Sequence, residues 1–256
     1  MKYYFTSDVH LGLNLKDKPA KEREKLFINW LDEVEQDLLK NNAPDEGALF
    51  LLGDIFDFWL EYKSVVPKQH IKVLAKLESM TSKGIKIYYF KGNHDTWTYD
   101  YFESIGISMH YTPEIFTLNG STFLVGHGHN LILKDTSLGF RLMYSLFNSA
   151  LILKLYRFFV HADLSNWFGS WWSNSSRVSK PISHVFKGED EYAVRYSRKK
   201  LEDGEKVDYF VFGHLHTPTI YELNEKSKVV ILGEWIKNPT YGVFENNTFS
   251  LKELGD

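Results

Sequence analysis

Three short apolar runs near the amino terminus predict buried strands, and they are Lys2–Thr6, Ala48–Leu52 and residues 85–90. A continuous apolar run of this length is typical of a strand that is covered on both faces of a sheet. Helical patterns separate the runs, so the order is strand, helix, strand, helix, strand. This order predicts an α/β fold with parallel central strands.

Two segments between these runs carry apolar residues at helical spacing. Residues 21–41 place apolar residues one turn apart with charged residues on the opposite face, and residues 67–83 repeat the spacing. We expect the first helix to bury Leu26, Trp30, Val34 and Leu38, and the second to bury Ile71, Leu74, Leu77 and Met80.

Beyond residue 114 the pattern changes to short β-like runs, many of them close enough in sequence to form hairpins. The runs are 121–126, 207–213, 217–223, 228–233 and 241–251. Together with the first three strands, they predict a mixed sheet or two sheets packed face to face.

The segment 131–200 differs from both patterns, because apolar residues lie on several faces of its helices. Over residues 134–180 it carries six basic and two acidic residues, although the whole chain has a net charge of −3. Two interpretations stay open: a buried helical hairpin, or a helical cap whose apolar and basic surface suits anionic lipid or an acylated substrate. We therefore expect a core formed by residues 1–130 and 201–256, with a helical insertion at 131–200.

Composition excludes several kinds of function. The chain has no cysteine, which removes disulfides, thiolate metal ligands and a cysteine nucleophile together. Its slightly acidic net charge argues against a nucleic-acid partner, and no obligatory protein partner is evident. The start MKYYFTSDVH does not look like a signal peptide, and no stretch approaches 18 uninterrupted apolar residues. We expect a cytoplasmic protein that can lie at a membrane surface.

Metal-capable side chains follow five strand-like runs. The segments are Asp8-Val9-His10, Gly53-Asp54-Ile55-Phe56-Asp57, Gly92-Asn93-His94-Asp95, Gly126-His127-Gly128-His129 and Gly213-His214-Leu215-His216. Ligand sites in open α/β sheets form at the carboxyl ends of strands, so these segments can converge. Oxygen and imidazole donors suit Mn²⁺, Fe²⁺ or Zn²⁺ better than Ca²⁺ or a soft metal. The candidate ligands are Asp8, His10, Asp54, Asn93, His127, His214 and His216.

The five segments occur in an order that resembles the calcineurin-like metallophosphoesterases, namely D-x-H, G-D-x-x-D, G-N-H-D, H-G and G-H-x-H, over residues 6–216. The resemblance implies a β-sandwich of two mixed sheets flanked by helices, with two divalent metal ions, most often Mn²⁺, at one end. One ion would be held by Asp8, His10, Asp54 and His216, and the other by Asp54, Asn93, His127 and His214.

The resemblance also implies roles for the residues around these ligands. His94 would stabilise the transition state or protonate the leaving oxygen, and Asp95 would orient His94. Asp57 would support the metal ligands from outside. His129 stands where relatives often carry a carboxylate, and His94 stands where the best-known members of one branch carry arginine, so both positions bear on substrate and metal preference.

That branch comprises the diphosphatases that act on UDP-2,3-diacylglucosamine in lipid A synthesis. Three features resemble it: the segment from Gly53 to Trp59, the helical insertion, and residues 232–235. The resemblance implies an acylated nucleotide-sugar substrate and the cytoplasmic face of the inner membrane, and Trp59 is a candidate substrate contact. Arg177 and Lys180 are candidates for pairing phosphate or sugar groups, with a solvated helix face as the alternative. Alternatives are another nucleotide diphosphate, a phosphodiester or a phosphoprotein as substrate. A binding protein without catalysis is disfavoured, because none of the seven ligands is missing.

Overall fold

The computed structural model describes residues 1–15, 19–41, 47–131, 133, 136–165, 167–169, 171 and 184–255. Its strands are β1 (Lys2–Thr6), β2 (Ala48–Leu51), β3 (Lys86–Phe90), β4 (Ser108–His110), β5 (Glu114–Leu118), β6 (Ser121–Gly126), β7 (Tyr209–Phe212), β8 (Thr219–Glu222), β9 (Lys228–Ile231), β10 (Thr240–Glu245) and β11 (Thr248–Glu253). Its helices are α1 (Ala20–Asn41), α2 (Ile71–Ser82), α3 (Tyr101–Ser104), α4 (Leu138–Phe147), α5 (Ala150–Phe159) and α6 (Tyr192–Glu202), with 3-10 turns at Lys68–His70 and Gly188–Asp190.

The strands form two mixed sheets, as the sequence predicted. The first has the order β11-β10-β1-β2-β3-β4, in which β1 to β4 run parallel, β10 is antiparallel to β1, and β11 is antiparallel to β10. The second has the order β5-β6-β7-β9-β8, with parallel β6, β7 and β9 and antiparallel edge strands. Strands β4 and β5 were not predicted, because β4 is very short and most of β5 is exposed.

The two sheets pack face to face through aromatic side chains. The Phe5 ring stacks on Phe50 of the same sheet at 4.7 Å between centroids and on Phe123 of the other sheet at 6.0 Å. The next residues along these strands point the other way: Tyr4 and Leu49 pack in the cluster under α1 and α2. This period of two residues gives four layers, helix, sheet, sheet and helix. The layers hold the carboxyl ends of the parallel strands in fixed positions.

Helices α1 and α2 cover the first sheet, but two residues predicted to be buried are not. Leu26 is 42% exposed and Ile71 is 61% exposed, whereas Phe27 and Val73 are fully buried in their place. Four residues advance about 400° around a helix and three residues about 300°, so the four-residue row of α1 and the three-residue row of α2 both drift off the buried face. The predicted rows were therefore right over Trp30 to Leu38 and over Leu74 to Met80, and wrong at their first members.

The insertion carries its apolar residues on the outside. No residue of α5 is buried, and Phe158 and Phe159 are 81% and 76% exposed. The alternative of a buried helical hairpin is therefore wrong for the described part of the insertion. Helix α6 also falls within the predicted range 131–200, but its Ala193 and Val194 are buried in the core cluster behind the second sheet. The division into core and insertion stays a prediction, with α6 packed on the core side.

Within the described ranges, no helix combines the length and the apolarity that are needed to cross a bilayer.

Candidate metal centre

The predicted ligands meet where the parallel strands of both sheets end. Five of the seven have a left-handed backbone: Asp8, His10, Asp54, His214 and His216, with φ of 52°, 50°, 52°, 67° and 57°. Such angles are costly for residues with a Cβ, and they cluster at functional sites where the surroundings enforce them. The backbone hydrogen bonds from Asp8 N to Gly53 O and from His10 N to Asp54 O supply part of that enforcement.

The first group of ligand atoms comes from Asp8, His10 and His216, whose donor atoms lie within 4.8 Å of one another. The Nε2 atoms of His10 and His216 face each other at 3.4 Å, and His216 Nε2 lies 3.1 Å from Asp8 Oδ1. Nevertheless, Asp8 Oδ1 is buried and makes no hydrogen bond in the described part of the chain. Donor atoms that converge on one point around a buried, unpaired carboxylate oxygen are what a shared cation needs, so these residues fit a divalent metal ion.

The second group consists of Asp54, His127 and His214, whose donor atoms also lie within 4.8 Å of one another. His127 Nε2 is 3.4 Å from Asp54 Oδ2 and 3.2 Å from Asn93 Oδ1. The other ring nitrogen, His127 Nδ1, donates to the carbonyl of Leu52 at 2.6 Å. That bond leaves Nε2 available as a metal ligand, as is usual for a metal-binding histidine.

Asp54 and His94 lie between the two groups. A nitrogen of the His94 ring, a donor atom of His10 and one of Asp54 lie within 4.8 Å of one another, so Asp54 borders both groups. Its Oδ1 accepts a hydrogen bond from the backbone of His94 at 2.8 Å, while Oδ2 points to His127. A carboxylate in this position can bridge two cations and set their separation.

Burial and neighbouring charge shift the pKa values of these residues in opposite directions. Burial alone would raise the pKa of Asp8 and Asp54, but the adjacent histidines hold both pKa values well below the usual range. Burial lowers the pKa of His214 to about 3, with His127 acting in the same direction. The pKa of His127 rises to about 10, because Asp54 outweighs the effect of burial. The site thus keeps its carboxylates ionised in the protein's interior.

Asp57 contacts both His10 and His94. Its Oδ1 is 3.3 Å from His10 Nδ1, and its backbone carbonyl is 2.9 Å from His94 Nδ1. The second contact fixes the His94 imidazole through its inner nitrogen. The His94 side chain is 23% exposed, so its other edge remains accessible to a ligand.

Asp95 does not orient His94, and this prediction was wrong. Its buried carboxylate accepts hydrogen bonds from the backbone of Ile55 at 2.8 Å, the backbone of Gly92 at 2.9 Å and the hydroxyl of Tyr89. The turn that begins at Gly92 sends this side chain under the loop while His94 faces the site. Asp95 therefore ties the loop after β2 to the loop after β3.

Of the three predicted substrate contacts, only Trp59 lies among the described residues. Trp59 exposes none of its surface and packs against Phe56 and Phe102, at 4.7 and 4.9 Å between ring centroids. It is a core residue, so its prediction as a substrate contact was wrong: its indole turns inward beside these two rings. Arg177 and Lys180 lie outside the described residues.

His129 lies behind the second group of ligands. Its ring centroid is 5.3 Å from that of His127, and its Nε2 is 3.3 Å from the hydroxyl of Tyr144 on α4. Burial, with His127 and His214 nearby, holds the pKa of His129 well below its usual range. A neutral ring here links the insertion helix to the ligands, and it adds no negative charge where relatives often carry a carboxylate.

Two further residues support the site in ways that the sequence did not predict, although Trp235 lies in the segment 232–235 that carries part of the resemblance. Arg23 on α1 is buried, and its guanidinium donates to the carbonyls of His10 and Leu13 at 2.7 and 2.9 Å. Trp235 donates its backbone N–H to the carbonyl of Asp8 at 3.1 Å. Both fix the left-handed loop after β1, yet each reads in the sequence as an ordinary helix or strand-end residue.

The chain is similar to several known proteins. The family model of the calcineurin-like phosphoesterases matches residues 1–218. A UDP-2,3-diacylglucosamine hydrolase from Porphyromonas gingivalis is 30% identical over 268 residues, which covers 100% of this chain and 98% of that protein. One from Haemophilus influenzae is 26% identical over 251 residues, covering 92% and 91%. Among solved structures, the E. coli phosphoesterase Yfce aligns over 98% of this chain and 91% of its own, with 15% identity and a TM-score of 0.44.

Proposed function

This chain belongs to the calcineurin-like phosphoesterases, and on that premise we propose that it cleaves the pyrophosphate bond of UDP-2,3-diacylglucosamine, giving UMP and 2,3-diacylglucosamine 1-phosphate. The observation that carries the proposal is the similarity to the hydrolase of that name from P. gingivalis, which extends over the whole chain, insertion included. The family and its ligand residues make the protein a metal-dependent hydrolase.

The residues of the centre fit two divalent ions, for which we propose Mn²⁺. Asp8, His10 and His216 would hold one ion, Asn93, His127 and His214 the other, and Asp54 would bridge them. Two such ions, when bound, supply charge neutralisation at the phosphoryl oxygens and activate water for in-line attack. Two buried carboxylates kept ionised by neighbouring histidines are consistent with this role.

His94 is the residue of this chain best placed to act on the substrate itself. The carbonyl of Asp57 holds its Nδ1, which positions the ring, and the side chain is 23% exposed. The ring lies edge-on to His10, with 4.9 Å between centroids, so it borders the ligands without replacing them. We propose that His94 donates a hydrogen bond to a phosphoryl oxygen or protonates the leaving oxygen.

The exposed apolar surface of α4 and α5 supports an acylated substrate. Leu142 and Leu146 on α4 are 64% and 54% exposed, and Phe158 and Phe159 on α5 are exposed still further. Soluble proteins seldom leave so many large apolar side chains in water without a partner. We propose that this surface meets acyl chains and the cytoplasmic face of the inner membrane, where such a substrate resides.

Release of UMP tests the proposal. The protein loaded with Mn²⁺ is incubated with UDP-2,3-diacylglucosamine, and UMP is quantified alongside the Asp54→Ala variant. We expect at least about a thousandfold loss in that variant, since the bridging carboxylate is removed. Asp203→Ala, which changes an exposed aspartate at the end of α6, serves as the matched control and retains activity. Metal-dependent cleavage of a generic phosphodiester without release of UMP from the acylated nucleotide would refute the proposed substrate, but not the assignment to the phosphoesterase family.

A further inference from the structure

A cavity of about 950 Å³ opens beside the metal centre, between the amino-terminal ends of α1 and α2. Its volume lies within the range of about 300–1,000 Å³ that is usual for small-molecule sites. Asp57 lines the cavity, and the same carboxylate lies 3.3 Å from His10 Nδ1. The cavity and the metal centre therefore share Asp57 as a wall.

The lining of this cavity is polar and positively charged, with apolar patches. The side-chain amides of Asn14 and Gln69 offer donors and acceptors, while Phe58 offers an aromatic ring. The lining carries three lysines, Lys21, Lys25 and Lys72, against two carboxylates, Glu24 and Asp57, which leaves a small excess of positive charge. Amides, an aromatic ring and cations suit a nucleotide rather than an acyl chain, for which the surface of α4 and α5 is the better match.

His70 is the buried residue of this cavity that has an unpaired polar atom, and its ring packs against Phe56 at 4.7 Å between centroids. It is 2% exposed, and its Nδ1 has no hydrogen-bond partner among the described residues. Buried polar atoms are nearly always paired, so an unpaired one points to a missing partner. Burial lowers the pKa of His70 to about 4, which keeps the imidazole neutral and able either to donate or to accept.

Gly12 leaves the ring edge of His70 uncovered on the cavity side. A Cβ at Gly12 would lie 3.2 Å from His70 Cε1 and 3.6 Å from Nε2, and both residues line the cavity. The absence of a side chain at this position gives a small polar group access to the imidazole edge. The φ of Gly12 is +97°, a conformation that also disfavours any replacement.

We propose that this cavity binds the nucleoside half of the substrate, and that the His70 imidazole forms a hydrogen bond with the uracil or the ribose. The inference rests on the proposed function, in which the pyrophosphate lies at the metal centre. A single ester oxygen joins the nucleoside to the phosphate, so the nucleoside must occupy a space adjoining the ligands. The cavity begins at Asp57, one side chain away from the candidate ligand His10, and the opposite half of the substrate can extend over α4 and α5.

Calorimetric titration of the Mn²⁺-loaded protein with UMP and, separately, with inorganic phosphate tests this assignment. In His70→Phe, we expect the Kd for UMP to rise about tenfold, the usual effect of losing one buried hydrogen bond. The Kd for phosphate should stay unchanged, because the metal ligands are untouched. Gln69→Ala, at an exposed position where folding is not at risk, should also raise the Kd for UMP and leave the Kd for phosphate unchanged. Lys68→Ala, on the same 3-10 turn but outside the cavity, is the control and should match wild type.

The outcomes separate the cavity from the proposed function. Equal UMP affinity in wild type, His70→Phe and Gln69→Ala would overturn the inference, as would parallel loss of UMP and phosphate binding or no UMP binding by wild type. Release of UMP from the acylated nucleotide is a separate measurement, and it alone judges the reaction. If the wild type releases UMP but the variants do not lose UMP affinity selectively over phosphate affinity, the nucleoside site is refuted and the proposed function is not.

Discussion

Replacing Asp95 with asparagine preserves the shape of the side chain but removes the charge that holds two loops together. The carboxylate is fully buried, and it accepts hydrogen bonds from the backbone of Ile55 and Gly92 and from Tyr89. An amide has only one acceptor atom, so at least one buried donor would face an N–H group instead. Hydrogen bonds to a charged group contribute about 1.5–3 kcal/mol each, and an unsatisfied buried donor costs about 1–3 kcal/mol.

One effect works in the opposite direction. Burial and the nearby charge of Asp54 raise the pKa of Asp95, so a neutral side chain relieves some desolvation and repulsion. Taking this relief into account, we expect Asp95→Asn to lower the free energy of unfolding by about 2–3 kcal/mol, close to the loss of one charged hydrogen bond. Urea denaturation measures this value, with Asp100→Asn, an exposed neighbour, as the control.

A double-mutant cycle with His94 distinguishes the two possible roles of Asp95. If Asp95 holds the loops, Asp95→Asn lowers kcat by the same factor in wild type and in His94→Ala, and it weakens Mn²⁺ binding in both. If Asp95 acted by orienting the imidazole, its replacement would have no further effect once His94 is absent. That second result, together with unchanged metal affinity and stability, would refute the structural interpretation.

Three other changes test separate parts of the structure. Arg23→Lys should raise the Kd for Mn²⁺ about tenfold, because a single ammonium cannot hold the carbonyls of both His10 and Leu13. Titration of the metal-free protein with Mn²⁺ measures this Kd, and Glu33→Ala, at an exposed position, is the control. Phe158→Ser should raise KM for substrate in mixed micelles several-fold while leaving KM for a short-acyl analogue unchanged, and equal effects on both would contradict an acyl-binding surface. Burial lowers the pKa of His70 from about 6.5 in the unfolded chain to about 4 in the folded protein, so His70 should destabilise the protein in acid. The free energy of unfolding should keep the full contribution of the neutral imidazole above pH 6.5 and lose about 3 kcal/mol as the pH drops to 4. Urea unfolding of wild type and His70→Phe against pH measures that loss, and a constant difference between them would contradict it.

The strands that lead into the metal centre were predictable because each combines two strong signals. A short apolar run marks β1, β2, β3, β6 and β7, and a metal-capable residue follows each run. The rule that ligands gather at the carboxyl ends of parallel strands then brings the segments together. The edges of the fold lack such signals. Most of β5 is exposed, and the buried residues of α6 are Ala193, Val194 and Ser197, none of which has a large apolar side chain.

The roles of Asp95 and Trp59 were not predictable, because neighbours in sequence need not point the same way. In the tight turn after Gly92, His94 faces the ligands while Asp95 points beneath the loop to Ile55. Trp59 follows Asp54 by five residues, yet its indole is buried beside Phe102. Only the three-dimensional course of these loops decides which side chains reach the site and which support it.

The glycines of the motifs show how closely the ligands approach the backbone of neighbouring loops. A Cβ at Gly213 would lie 2.6 Å from Asp8 Oδ2, and one at Gly53 would lie 2.6 Å from the backbone nitrogen of Gly92. Real Cβ atoms essentially never come so near, so any side chain there would displace a ligand or a neighbouring loop. Gly53 also has a φ of +79°, which favours glycine independently. The spacing G-D and G-H-x-H is therefore a packing requirement as much as a chemical one: the ligands converge because the loops that carry them are in contact.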